Sequence, residues 1–192
     1  METVNTSVLR REMVLWYPMR ITYGREEQIK AALDDIHLEN FLPMKQLRGW
    51  LDDDGNPHQN IVPAIRNLIF VHSSQKEITR LKMYRKEFQP MRYMSNPFSS
   101  TDEDHLLTIP DRQMQSFIKV ASVQDDRIAY LDPSSDFLSR PGRRVRITDG
   151  DFKDAEGVIK RIKNNRRVVV EVKGICAVAI AFVPSAWIQP LD

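Results

Sequence analysis

Apolar and polar positions change their period several times along the chain, and each change marks an element. Residues 13–21 (Met-Val-Leu-Trp-Tyr-Pro-Met-Arg-Ile) read as a strand. Pro18 within it lacks a ladder donor, which predicts an unpaired side or a bulge there. Thr22-Tyr23-Gly24 reads as a turn. Ile29, Ala32, Leu33 and Ile36 then recur at helical spacing and predict a helix over 25–38. Residues 41–47 read as a second strand, and 50–60, with Asp-Asp-Asp-Gly-Asn-Pro, as a long polar loop. Residues 61–72 form a third strand, apolar on both faces at Leu68-Ile69-Phe70-Val71. Ser74 followed by Glu77 has the capping-box pattern and opens a short helix. Residues 88–94 are a fourth strand and 95–103 a loop. Ile109-Pro110-Asp111 opens a helix with Met114, Phe117 and Ile118 on one face.

This order, β-α-β-β-α-β-α, predicts a mixed sheet backed by helices. A polar stretch with Asp-Pro-Ser-Ser-Asp, residues 122–139, reads as a linker. Five short strands follow, at 143–148, 157–163, 168–172, 176–183 and near 187–188, with Asn164-Asn165 as a hairpin turn. Such spacing predicts a small barrel. The β-branched run Val168-Val169-Val170 with Ile159 supports strands rather than helix there. The domains expected are 13–121, a linker over 122–139, and 140–192.

The stretch from Gly142 to Ile159 carries the densest signal. Val145 and Ile147 alternate with Arg144, Arg146 and Thr148, the period of a half-buried strand. Asp149-Gly150 demands a tight turn with positive φ. Phe152 can fold back over that turn, as a core plug or as a partner contact. Gly157 suits a bend or a close approach of another backbone. This spacing resembles the KOW motif, the start of a small β-barrel found in transcription and ribosomal proteins.

Composition narrows the classes. With 192 residues, 42% apolar and a net charge of +2, the chain can build real cores and is not a polycation. Basic residues concentrate between Arg140 and Lys173, which favours an RNA-, DNA- or ribosome-facing role. The single cysteine, Cys176, lies in an apolar run and fits a reducing compartment. No apolar run approaches the roughly 18 residues of a membrane span, and residues 1–13 lack a cleavage pattern, so a soluble cytoplasmic protein with no membrane partner is expected. A monomer is the expected state. His37, His58, His72 and His105 are scattered without ligand spacing, and Asp52-Asp53-Asp54 lacks the downstream Glu of an EF-hand. No catalytic residue, metal site or cofactor is expected.

The N-terminal half adds a second resemblance. Trp16-Tyr17, Tyr23-Gly24-Arg25-Glu26 opening a helix, Phe41-Leu42-Pro43 and Phe70-Val71 closing a strand are similar, in order and spacing, to the N-terminal domain of NusG-type transcription elongation factors. The KOW segment completes that family's pair of domains, and the ending Ala177 to Pro184 looks like its C-terminal strand. The implied fold class is α+β: an NGN-type sandwich, mainly antiparallel sheet flanked by helices, followed by an SH3-like KOW β-barrel. Ile65-Arg66-Asn67-Leu68 stands where housekeeping members carry Phe-Pro-Gly-Tyr, so the chain resembles the specialised antiterminators of Bacteroides-type surface-polysaccharide operons.

The resemblance implies binding without catalysis. The N-terminal domain would seat the clamp helices of RNA polymerase in an apolar pocket and suppress pausing or termination. Tyr17, Ile65, Leu68 and Phe70 are the pocket candidates, with sheet core the alternative for Leu68 and Phe70. Arg20, Tyr23 and Arg25 would face non-template DNA or nascent RNA. In the barrel, Gly142, Val145, Ile147, Asp149, Gly150, Phe152, Gly157 and Ile175 mark the motif and its partner surface, which in the family recruits ribosomal protein S10 or Rho. Here Lys173 precedes Gly174, where the family often places an apolar or aromatic residue. A general elongation factor coupled to Rho or the ribosome, and an RNA-binding KOW module, are the alternatives.

Overall fold

β1 (Val14–Ile21) runs through the interior of a four-stranded sheet because both of its faces are apolar. Trp16, Tyr17, Met19 and Ile21 are all buried. In this computed structural model, residues 11–51, 57–96, 99, 105–123, 127–131, 134–172 and 174–191 are described, without the side chains of 48–51, 57–59 and 137. The chain divides into two units, Met1–Leu42 with Arg66–Asp111, and Pro43–Ile65 with Arg112–Asp192.

The first unit holds an antiparallel sheet in the order β2 (Asn40–Phe41), β5 (Leu68–Ser74), β1, β6 (Met91–Tyr93). Pro18 pairs in register with Phe70 on one side. On the other side it falls between the β6 ladder, which covers Met19 to Ile21, and a single bridge from Trp16 to Ile109, so its missing donor lies in a gap. α1 (Glu26–Asp35) buries Ile29 and Leu33. It ends before the expected residue 38, because His37 adopts φ 56° and Leu38 N–H donates to Leu33 O at 3.0 Å, a Schellman closure. α2 (Gln75–Tyr84) is capped by Ser74, whose Oγ accepts the Glu77 N–H at 3.2 Å.

The predicted third strand is two strands. β4 (Pro57–Pro63) pairs with β3 (Met44–Leu51) as a separate hairpin in the second unit, and β5 starts only at Leu68. Between them Asn67 takes φ 59°, and its N–H is held by the Glu26 carboxylate. Much of the expected polar loop over 50–60 therefore belongs to hairpin strands, while Asp52, Asp53 and Asp54 lie outside the described residues. The fourth strand is also shorter than expected: Lys86–Phe88 forms a 3-10 turn before β6.

The second unit carries a six-stranded antiparallel sheet, β12-β8-β9-β10-β11-β7. Its strands are β7 (Ile128–Leu131), β8 (Arg143–Ile147), β9 (Glu156–Ile162), β10 (Asn165–Val172), β11 (Cys176–Ile180) and β12 (Ile188–Pro190). The hairpin between β9 and β10 turns on Lys163 (φ 47°) and Asn164 (φ 65°), a two-residue connection one position earlier than expected. Register places Val145, Val168, Val170, Val178 and Ile180 on one buried face. Ile162, Val169, Ala177 and Ala179 pack on the other with Leu131 and Leu138.

The expected linker does not read as one here. β7 pairs with β11, and α4 (Asp136–Ser139) lays Leu138 on the sheet while the buried Lys160 ammonium donates to the Arg140 carbonyl at 2.8 Å. α3 (Asp111–Ala121), expected within the N-terminal domain, belongs to the second unit from Arg112 onward. Its Gln113 side chain donates to Glu171 O at 2.7 Å, and its Ser116 Oγ accepts the Glu156 N–H at 3.1 Å. An amphipathic helix buries its stripe wherever an apolar sheet face is open, and sequence periodicity does not say which face.

Candidate functional site

Two surfaces concentrate charge, aromatic rings and exposure. In the first unit, β1 ends by delivering Arg20 to solvent, and Tyr23 follows in the left-handed region with φ 69° and 86% exposure. An aromatic residue with positive φ is strained by about 1–2 kcal/mol. The exposed Arg25 guanidinium lies 5.8 Å from the Tyr23 ring centroid, close enough for cation–π attraction. Across the β1–β6 ladder Arg20 faces Arg92, which is also exposed. Lys82 lies 4.6 Å over the Tyr93 ring, and burial, with Arg92 nearby, lowers its pKa. Burial raises the Tyr93 phenol to about 12, so it stays protonated and bonds Thr79 Oγ1 at 3.1 Å. The sequence singles out Arg20, Tyr23 and Arg25 but not Arg92, because strand pairing alone brings it opposite Arg20.

The apolar pocket candidates occupy different places. Tyr17, Leu68 and Phe70 are buried in the first unit's sheet, with exposures of 2%, 4% and 0%. Ile65 is half-buried in the bend after β4 and belongs to the second unit. The structure therefore presents Leu68 and Phe70 as sheet core rather than as an open pocket, and it does not bring Ile65 into the same strand. The run Leu68-Ile69-Phe70-Val71 already carried that signal, since a central strand is apolar on both faces.

In the second unit the turn after β8 is built as its residues require. Gly150 takes φ 77°, and Asp149 Oδ1 accepts its N–H at 2.8 Å. A Cβ on Gly150 would stand 2.6 Å from the Trp187 ring, so the indole packs flush on the glycine. A Cβ on Gly157 would meet Val169 O at 2.6 Å, and one on Gly142 would meet Ile159 O at 2.5 Å. Both glycines allow close approach of neighbouring backbone. Val145, Ile147 and Phe152 are buried, and Arg127 lies 5.4 Å over the Phe152 ring. Ile175 is buried as well, and Lys173 lies outside the described residues. Thus Phe152 and Ile175 support the fold more than they project from it, and Trp187 was missed because nothing local in the sequence ties it to Gly150.

Glu156 gathers the second unit's charges. Its carboxylate pairs with Arg146 at 2.7 Å, with Arg112 of α3, and more distantly with Arg144 at 3.9 Å. Burial alone would raise its pKa, but the Arg112 and Arg146 guanidiniums outweigh that and hold it below the ordinary carboxylate value. Burial pushes the Cys176 thiol far up, which makes it inert as a nucleophile at neutral pH. Among the described residues no three His, Cys, Asp or Glu side chains gather as metal ligands, and no helix is long and apolar enough to cross a membrane.

Comparison with known proteins matches one family model, the KOW motif, over residues 141–171. No curated protein matches the chain. Among solved structures, NusG of Thermotoga maritima, from a study of its domain interaction, is similar with a TM-score of 0.43 at 15% identity, covering 95% of this chain and 99% of that one.

Proposed function

We propose that this chain is a NusG-type transcription elongation and antitermination factor that binds RNA polymerase and acts without catalysis, on specific long operons such as those for polysaccharide biosynthesis. The observation that carries the reading is the KOW match, whose Asp149-Gly150 turn and buried Phe152 lie in the connection from β8 to β9 and whose close-approach Gly157 lies in β9. The order of N-terminal motifs supports the rest. The first unit is the polymerase-facing part, with Tyr17, Leu68 and Phe70 giving its sheet rigidity and the Arg20–Tyr23–Arg25 turn, with Arg92, facing nucleic acid. Arginines attract phosphates, and an exposed tyrosine offers a face for an unpaired base. The second unit recruits a further partner, ribosomal protein S10 or Rho in the family. Its place of action is the cytoplasm.

Genome-wide occupancy of the tagged protein alongside RNA polymerase tests this. Signal confined to a few long operons supports a dedicated factor. Signal following polymerase everywhere makes it a general one, and occupancy without polymerase sinks the reading.

A further inference from the structure

A second feature of the sheet in unit two stands apart from the KOW turn. A cavity of about 340 Å³ opens among β8, β9, β10 and the segment from Phe182 to Pro190. Its floor is aliphatic: Val145, Ile159, Val168 and Ile188. Register explains why they meet, since Ile159 pairs with Arg143 on one side and Val168 on the other. At the rim Phe182 stands 73% exposed.

The charges around this floor are all of one sign. Arg143, Arg166 and the half-buried Arg167 line the cavity, and no carboxylate does. Arg161 sits directly opposite Arg166 on the same face. Arg143, Arg161 and Arg166 are exposed, and among the described residues none of them has an ion-pair partner. Like charges directly opposite on adjacent strands destabilise a sheet. By contrast, Arg146 on the other face of β8 is paired with Glu156. Arg144 and Arg146 on that face share Glu156, while among the described residues Arg143, Arg161 and Arg166 have no carboxylate partner.

We propose that this cavity docks a peptide segment of a partner protein, with one large apolar side chain seated on the aliphatic floor and acidic residues on either side paired with Arg143, Arg161 and Arg166. Charge complementarity selects the flanks, and the floor selects the anchor. A nucleotide base fits the floor poorly. Its ring nitrogens and exocyclic groups would lie against valine and isoleucine, with only Ser185 offering a polar side chain besides the arginines, and buried polar groups without partners are costly. The proposal goes beyond the functional reading above and stands without it, since it rests on the cavity's own lining and not on the Asp149-Gly150 turn.

The test pans a random dodecapeptide library displayed on phage against the immobilised full chain, then measures the affinity of the selected peptides for the wild type, Arg166→Glu and Phe182→Ser. A twelve-residue oligouridylate serves as the nucleic-acid probe. The expected result is a consensus of one aromatic or large aliphatic residue flanked by Asp or Glu, binding at least tenfold more weakly to Arg166→Glu and also more weakly to Phe182→Ser. Both positions are exposed, so both variants should melt with the wild type. Failure to select an acidic consensus overturns the proposal, as does a consensus indifferent to Arg166→Glu. Oligouridylate binding that depends on Arg166, with no such peptide selected, gives the surface to nucleic acid instead.

Discussion

The Trp187 indole lies flush on Gly150, leaving no room for a side chain there: a Cβ would stand 2.6 Å from the ring. The contact joins the turn after β8 to the segment that opens β12, and Thr148 N–H donates to Trp187 O at 2.8 Å beside it. Gly150→Ala therefore meets two penalties, the positive φ of 77° and the ring. The left-handed conformation alone costs about 1–2 kcal/mol. Thermal denaturation should show Gly150→Ala less stable by at least that amount. Adding Trp187→Ala should recover part of the loss, so the double mutant is less destabilised than the sum of the singles.

Glu156 should make stability pH-dependent through α3. Its folded pKa is lowered, so its contribution is present above the unfolded value and is lost as pH falls through the folded one. With an unfolded glutamate near 4.3, the loss should begin below about pH 4. The partner guanidiniums of Arg112 and Arg146 are substantially exposed, which limits the pair to about 1 kcal/mol. Chemical denaturation should find Glu156→Gln less stable than wild type at pH 7, and the difference should shrink as the pH falls below the unfolded value. A difference that does not change with pH would assign the effect to packing instead.

Cys176 gives a reporter of the second unit's core. Its thiol is buried and its pKa is raised, so the reactive thiolate is scarce and inaccessible. Alkylation by iodoacetamide at pH 8 should be slow in the native protein and should accelerate with denaturant along the unfolding curve. Fast native-state labelling would show that β11 opens locally.

Much of the fold was legible because its signals are local. The Asp149-Gly150 turn, the Ser74 cap, the helical stripe at Ile29 and Leu33, and the barrel strands all rest on neighbours in sequence. What was not legible depends on pairing across distance. The split of the third strand at Asn67 needed the Glu26 carboxylate, some forty positions away, to hold the turn. The placement of α3 needed Glu156 and Glu171 to be within reach of its polar side chains. For the candidate site the exposure of Arg20, Tyr23 and Arg25 was readable, because charged and aromatic residues beside a glycine turn have nowhere to be buried. Whether Leu68 and Phe70 lie in the core or at a surface was not legible, because an apolar side chain serves both.

Burial of Leu68 and Phe70 changes how the proposed polymerase interface must be tested. Leu68→Asp would place a charge in the sheet core and unfold the first unit, so lost partner binding would say nothing about contact. Phe70→Ala should cost about 3–5 kcal/mol by cavity formation, measured by chemical denaturation.

Tyr23 offers the cleaner separation of stability from binding. It is exposed, and its positive φ is one that glycine adopts without strain. Tyr23→Gly should therefore leave melting within a few degrees of wild type, the relief of strain offsetting the greater freedom of the unfolded chain. The same change removes the ring beneath the Arg25 guanidinium, and with it the face on which a base could stack. Single-strand affinity should fall by about 1–3 kcal/mol. Arg20→Gln and Arg25→Gln should instead lower the slope of log affinity against log salt, by about 0.7 for each phosphate contact removed. Fluorescence anisotropy with a labelled single-stranded oligonucleotide, repeated across salt concentrations, distinguishes the two kinds of contact. If Tyr23→Gly keeps full affinity while the arginine variants lose it, the turn tracks backbone phosphates alone. If all three variants bind as wild type, the basic end of β1 is not a nucleic-acid surface.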